Sequence, residues 1–416
     1  MNLRCLLVLA LAGTCGAALS GHAAEPLRLH DAIARALASN PALTAEAEEL
    51  RAIGARAQRE ALPTPYTVSG EVENFGGTGA ISGLQSSETT LRIGRVLELG
   101  GKRAARQALG TAELNQQRNQ AEAARVDIVS QTALRFIEVV ADQERLAFAN
   151  ERLALAHRFR REVASWVNAA RNPESDLRAA EIAVAEAELE LENAEHELET
   201  ARAALASSWG ELTPDFDRAQ GDFHDLPSVA AFQDLVARLP MTSEQRAAVL
   251  EAETITARRR VAEASATPDI NVSVGVRRLE GLNDQGLVMQ VSVPLGSRKR
   301  ATFSMAEADA QLAAIEARSK AQQFERRQAL FARYQELEHA RHEAGVLNTT
   351  MIPKAEQALA ITRRGFDEGR FTFLVFSQAQ RTLFDLRARS VEATARYHAL
   401  LVEVERLTAT AQDIAP

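Results

Sequence analysis

Residues 270–295 read INVSVGVRRLEGLNDQGLVMQVSVPL, with apolar and polar positions alternating. Ile270, Val272, Val274 and Val276 fall on one side, and Asn271, Ser273, Gly275 and Arg277 on the other. After the turn-like GLNDQG, the apolar set resumes at Leu287, Met289, Val291, Val293 and Leu295. Period two predicts a strand pair with one apolar and one polar face. Residues 66–75 and 88–99 carry the same pattern, with Tyr66, Val68, Gly70 and Val72 set against Thr67, Ser69, Glu71 and Glu73. Two β-hairpins are therefore expected.

The rest of the chain follows a different period. Leu177, Val184, Leu191, Leu198 and Leu205 recur every seventh residue, and Ala180, Ala187, Ala194 and Ala201 follow three positions behind. Phe376, Ala379, Leu383, Leu386, Ser390, Ala393, Tyr397, Leu400, Val404 and Leu407 keep the same spacing. Sustained heptads predict coiled-coil packing, and the alanines permit close helix approach. Each hairpin leads into a long proline-free segment, 102–172 and 300–352. As a single helix the first would span roughly 100 Å.

The order helix, strand, strand, long helix, turn, helix thus occurs twice, an internal repeat. Pro63 and Pro65 precede one hairpin and Pro268 the other. The hairpins end alike, in Leu99-Gly100-Gly101-Lys102-Arg103 and Leu295-Gly296-Ser297-Arg298-Lys299-Arg300. The expected organisation is a first repeat over 25–210, with hairpin 66–99 and helical hairpin 102–208. A connecting or equatorial segment follows at 211–242. The second repeat covers 243–410, with hairpin 270–295 and helical hairpin 300–408.

Composition narrows the shape. Of 416 residues 46% are hydrophobic but only 5% aromatic, which favours an elongated helical body over a bulky globular core. Arg4, the apolar run 5–19 and a cleavage site at Gly21-His22-Ala23 or the following Ala24 predict a secretory signal peptide over 1–24. Both cysteines, Cys5 and Cys15, fall inside it, so the mature chain is expected to lack disulfides and thiolate chemistry. Lipidation at Cys15 is the alternative, disfavoured by Thr14 where a small residue is wanted. The net charge of −8 argues against a nucleic-acid partner.

Four strands of about ten residues match the length that crosses a bilayer when tilted. Hydrocarbon tolerates no open sheet edge, and four strands cannot close a barrel alone. Several chains must then share one. The polar face, carrying Glu71, Glu73, Arg92, Glu98 and Arg277, is expected to line a wet lumen. Arg95 falls in phase with the apolar Leu91 and Ile93, so it must either snorkel or mark a slip in register. Lys102, Arg103, Arg298, Lys299 and Arg300 occupy first helical turns, against the helix dipole. Membrane head groups are the expected compensation.

On LRLHDAIARALASNPAL (27–43), LELGGKRAAR (97–106) and GRFTFLVFSQAQRTLFDLRARSVEATARYHALLVEVERL (369–407), the chain resembles the TolC-like outer-membrane efflux channels. The likeness is greatest to their heavy-metal, CzcC-like branch, and it runs from about Leu27 to Thr408. It implies a mostly α protein with a small β part. A long coiled-coil α-helical barrel would join a transmembrane β-barrel of twelve strands, four from each protomer of a homotrimer. The implied partners are outer-membrane lipid, a periplasmic adaptor (a membrane fusion protein) and a proton-driven inner-membrane RND pump. The tips of the helical hairpins, 169–177 and 365–374, would meet the adaptor and gate the duct.

The tip candidates are Asn172, Glu174, Asp176, Gly365, Asp367, Gly369, Arg370, Phe373, Phe376 and Gln378. Acidic residues that narrow the entrance in some relatives align with Val375 and Gln378, leaving Asp176, Asp367 or Glu368 as substitutes. Gly365 and Gly369 are expected to give the tip backbone freedom. His339 and His342 share a helix face with Glu338 and Glu343, but two histidines among many charges read first as a solvated face. The acidic run 181–199 reads as the wet side of a coiled coil. There is no nucleophile–base arrangement, phosphate loop or cofactor motif, which argues against an enzyme. Drug efflux or protein secretion on the same fold, and a periplasmic coiled-coil adaptor, are the rival functions. An adaptor would carry β-rich modules around one helical hairpin, not two repeats each with a lone strand pair.

Overall fold

A computed structural model describes residues 26–81 and 83–410; the leader and Cys15 lie outside them. The chain begins with strand β1 (Leu27–Arg28) and helices α1 (Leu29–Ser39) and α2 (Pro41–Glu60). The first hairpin is β2 (Tyr66–Glu73) and β3 (Glu88–Leu97). Helix α3 (Lys102–Asn168) follows, then α4 (Glu174–Ala206), short β4 (Ala219–Gln220) and α5 (Phe232–Arg238). Helix α6 (Ser243–Ser265) leads to β5 (Ile270–Leu279) and β6 (Asp284–Ser292). The chain returns through α7 (Ser297–Val346) and α8 (Ile352–Asp367), and α9 (Phe373–Thr408) closes it. The protein is mostly helical with a small strand part.

The two hairpins form one antiparallel sheet in the order β2-β3-β5-β6. Val68, Ile93, Val274 and Met289 lie in one row across it, and Gly70, Leu91, Val276 and Leu287 in the next. This apolar face is bare, with Val68 at 66% and Leu287 at 90% exposure, whereas Thr90 on the polar face is fully buried. The strands approach closely on the polar side at Gly275. Glycine permits this, because a Cβ there would strike the Leu91 carbonyl and the Arg92 side chain.

Pairing accounts for Arg95 without any slip. It sits opposite Tyr66, its guanidinium lies 5.0 Å from the Tyr66 ring centroid, and Nε donates to the Thr64 carbonyl at 3.0 Å. The register runs unbroken through this position, and the guanidinium is held by the chain itself. Glu98, by contrast, does not belong to the polar face. It follows the last residue of β3 and takes a two-pronged hydrogen bond from Arg106 of α3, which holds its carboxyl below the usual range. The β5–β6 turn is tighter than the sequence suggests, with Asn283 in the left-handed region and β6 starting at Asp284.

The heptads pack as stripes. Ala180, Val184, Ala187, Ala194, Leu198, Ala201 and Leu205 are buried on α4, as are Phe376, Leu383, Ser390, Ala393, Tyr397, Leu400 and Val404 on α9. Alternation and heptad spacing thus reappear as a two-faced sheet and buried seams. The helix expected over 300–352 does not end there. A π-turn at Leu347–Met351 lets the path continue into α8, and its widened backbone accommodates Pro353 just beyond it. Segment 211–242 is more than a connector. Its β4 pairs in parallel with β1, and Phe216, Ala219 and Phe223 join Leu27, Phe136, Leu205 and Trp209 in a core at the waist.

Candidate functional site

Both helical hairpins turn at the end remote from the sheet, and the same hydrogen bonds form each turn. At the first tip Ala169 N–H donates to Ser165 O at 3.2 Å, Ala170 N–H to Val167 O at 2.9 Å and Arg171 N–H to Trp166 O at 2.8 Å. At the second, Glu368, Gly369 and Arg370 donate in turn to Arg364, Phe366 and Gly365, at 3.1, 2.9 and 2.7 Å. These are left-handed helix C-caps. Gly369 has φ +73°, and Ala170, at the matching place, has φ +55° without being glycine.

An alanine held there costs about 1–2 kcal/mol relative to glycine. Ala170→Gly is therefore expected to stabilise the first tip by about 1 kcal/mol, and Gly369→Ala to destabilise the second by a similar amount. Amide hydrogen exchange over 163–172 and 362–372 measures both. Shifts of the same sign would contradict the cap assignment.

Gly365 has another role than the one its residue type suggests. Its φ is not left-handed, and an added Cβ would collide with the Phe371 ring, which folds back over it. It provides contact space instead of freedom. Phe376 is buried at 4% exposure in an aromatic cluster that joins all four tip helices. Its ring centroid lies 4.9 Å from Phe159 of α3 and 5.6 Å, stacked, from Phe366 of α8. Phe373 stacks on Phe159 at 5.4 Å, and Trp166 meets Phe366 edge-on at 4.9 Å. Ala180 of α4 completes the group.

The acidic candidates are already partnered. Asn172 Nδ2 donates to Asp176 at 2.8 Å, Arg178 to Glu174 at 2.8 Å and Arg363 to Asp367 at 3.2 Å, while Arg370 pairs with Glu368. Gln378 and Val375 remain exposed next to the tips. Thus the structure gathers the ten candidates at one end. Asn172, Asp176, Gly369, Phe373 and Gln378 line a common groove, Gly365 and Phe376 brace it, and Glu174, Asp367 and Arg370 carry charge around it.

Sequence reasoning missed the cross-links between the two hairpins. Arg363 donates to Glu162 of α3 at 2.6 Å while lying 5.5 Å from the Phe376 ring centroid. Arg387 reaches Glu151 and Glu356. Arg152 pairs with Glu190 and lies 5.6 Å from the Phe384 ring centroid. Partial burial works against the Arg363 charge, but bonds to Glu162 and Asp367 raise its pKa above the ordinary value. The one advance signal was arginine inside otherwise apolar heptad stretches. Among the described residues no three His, Cys, Asp or Glu side chains form a metal-holding group, and Glu343 is taken by Arg389.

A four-stranded sheet with one bare apolar face and one polar face, borne on long paired helices, is the arrangement expected of a chain that meets a membrane at one end. No family model matches the chain. In fold it is similar to the CusC channel, with a TM-score of 0.75 at 15% identity over 92% of each chain. It is also similar to VceC of Vibrio cholerae, with a TM-score of 0.74 at 16% identity over 92% of this chain and 96% of that one. In sequence it is 31% identical over 391 residues to the cobalt-zinc-cadmium resistance protein CzcC of Cupriavidus metallidurans, covering 92% of this chain and 90% of that protein. The nickel and cobalt resistance protein CnrC of the same organism is 34% identical over 284 residues, 67% of this chain and 66% of that one. The chain belongs to the family of outer-membrane efflux channels, in the branch that contains CzcC. It is a channel protein and not an enzyme.

Proposed function

We propose that the chain is the exit duct of a tripartite heavy-metal efflux system, working as a homotrimer with a twelve-stranded barrel in the outer membrane. The observation that carries this is the sheet. β2 and β6 are edge strands with no further strand beside them among the described residues, while the face they bound exposes Val68, Leu91, Val274, Leu287 and Met289. Open edges next to such a face need further chains to close the ring. A second exposed row supports association with further copies: Phe303, Phe324 and Phe331 on α7 fall at multiples of seven and are 67%, 76% and 50% exposed. Another protomer's helix is the natural cover.

Divalent cobalt, zinc, cadmium or nickel is the proposed cargo, by likeness to CzcC and CnrC. A periplasmic adaptor and an inner-membrane RND pump are the proposed partners. The tips are the proposed gate and adaptor contact. Opening the entrance would part the two hairpins by breaking Arg363–Glu162 and separating Phe159 from Phe373 and Phe376.

Deleting the gene is expected to sensitise cells to these cations, with the chain supplied on a plasmid restoring growth. Native mass measurement of the detergent-extracted protein should give three chains. A water-soluble monomer sinks the barrel. Unchanged metal tolerance with new sensitivity to organic compounds moves the cargo to another class.

A further inference from the structure

The five basic residues that open the two long helices are not equivalent. In the first repeat they are used inside the chain: Lys102 Nζ donates to Asp269 at 2.6 Å and Arg103 Nε to the Ala61 carbonyl at 2.6 Å, with Arg106 beyond them on Glu98. Head groups are not needed to explain that set. In the second repeat Arg298, Lys299 and Arg300 are all exposed, and their side chains make no ion pair or hydrogen bond among the described residues. No acidic residue shares their turn of α7, so three cations sit uncompensated at the positive end of a helix.

Their place in the fold selects the missing anion. They follow β6 directly, at the end of the sheet where the long helices begin. The apolar face also runs past the last paired residues, Asn271 and Ser292. Val291, Val293 and Leu295 are 54%, 44% and 93% exposed, Leu295 three residues before Arg298. An uncovered apolar strip ending in three free cations has the two-part character of a bilayer boundary.

We infer that Arg298, Lys299 and Arg300, with Leu295 as the apolar foot, form a docking surface for anionic phospholipid head groups on the periplasmic side of the outer membrane. This rests on the barrel reading above. The guanidinium and ammonium groups hold the phosphate, and Leu295 lies against the first methylenes of the acyl chains. The three patches of a trimer fix the height of the barrel in the bilayer.

The full-length mature protein is reconstituted into vesicles of phosphatidylcholine alone and into vesicles containing phosphatidylglycerol. Lipid retained on the extracted oligomer is then counted by native mass spectrometry. The unmodified protein is expected to retain phosphatidylglycerol selectively. The triple variant Arg298→Gln, Lys299→Gln, Arg300→Gln should insert normally but bind that lipid on the order of 100-fold more weakly, since each surface cation contributes about fivefold. A charge-matched control on the same helix, Arg318→Gln, Lys320→Gln, Arg327→Gln, should keep the selectivity. Insertion with equal retention in the unmodified protein and the triple variant overturns this inference alone. Failure of the unmodified protein to enter either vesicle overturns the barrel reading and this inference with it.

Discussion

Val274→Arg is expected to remove the protein from the assembled, membrane-inserted fraction, while Gln290→Arg leaves assembly intact. Val274 lies in the middle of β5, in the row that includes Ile93 and Met289, and is half exposed on the apolar face. A cation at bilayer mid-depth on that face costs about 2–4 kcal/mol, and the proposed trimer would bear the cost three times. Gln290 is opposite Ser273, one residue out of phase, on the polar face. Its replacement adds a cation where Arg92–Glu71 and the Arg277 pairs with Glu73 and Glu88 already place charge. Ser273→Arg shares the phase but has Gly94 tight against it, so Gln290 is the cleaner control. Heat-modifiable mobility of outer-membrane extracts gives the assembled fraction. Equal losses in the two variants would show that the faces are assigned the wrong way round.

The parts legible in the sequence are those in which a residue's partner is set by its own element. Alternation through Ile270–Leu279 becomes β5 because each apolar side chain needs only the one face, and the α9 heptads bury Phe376, Leu383 and Tyr397 along one seam. The alternation overshoots at its end. Val293 and Leu295 keep the phase, yet β6 stops at Ser292, opposite Asn271, so Ile270 pairs with β3 alone and the last apolar positions lie beyond the ladder. Pro353 suggests a stop that the π-turn removes, since a one-residue widening of the helix is a backbone event with no side-chain period.

The tip site was legible in place but not in role. Gly365 and Gly369 have the same residue type, and only the fold distinguishes a ring's resting place from a left-handed cap. Phe376 carries heptad phase, but Phe159, Trp166 and Phe366, which complete its cluster, lie in other helices and meet it only in three dimensions. The acidic candidates read as free charges because their partners, Asn172 for Asp176 and Arg363 for Asp367, are too ordinary to stand out.

Arg145→Met is expected to destabilise the waist strongly, and Asp142→Asn only mildly. Asp142 of α3 is only 3% exposed, packed beside the core that contains Val139, Val140 and Ala141. Burial pushes its carboxyl pKa up, against the hydrogen bond from Arg145. Burial also works against the Arg145 charge, but bonds to Glu138 and Asp142 raise its pKa above the ordinary value. The same guanidinium reaches Glu392 of α9 at 2.9 Å and so ties the two repeats together. Removing it leaves a buried carboxylate with no counter-charge, a loss of about 3–5 kcal/mol. Asp142→Asn instead removes the charge that burial penalises, and Arg145 keeps Glu138 and Glu392. The Arg145→Met deficit should also depend on pH in a defined direction. With its partner gone, the folded pKa of Asp142 rises further above the unfolded value. The variant is then relatively more stable at acidic pH and loses stability as pH rises through that folded pKa. Apparent melting temperatures of the detergent-solubilised protein, at one scan rate and several pH values, test both points. The double variant Asp142→Asn, Arg145→Met should regain most of the loss. If it melts as low as Arg145→Met alone, the damage comes from the lost Glu138 and Glu392 contacts and not from the stranded carboxylate.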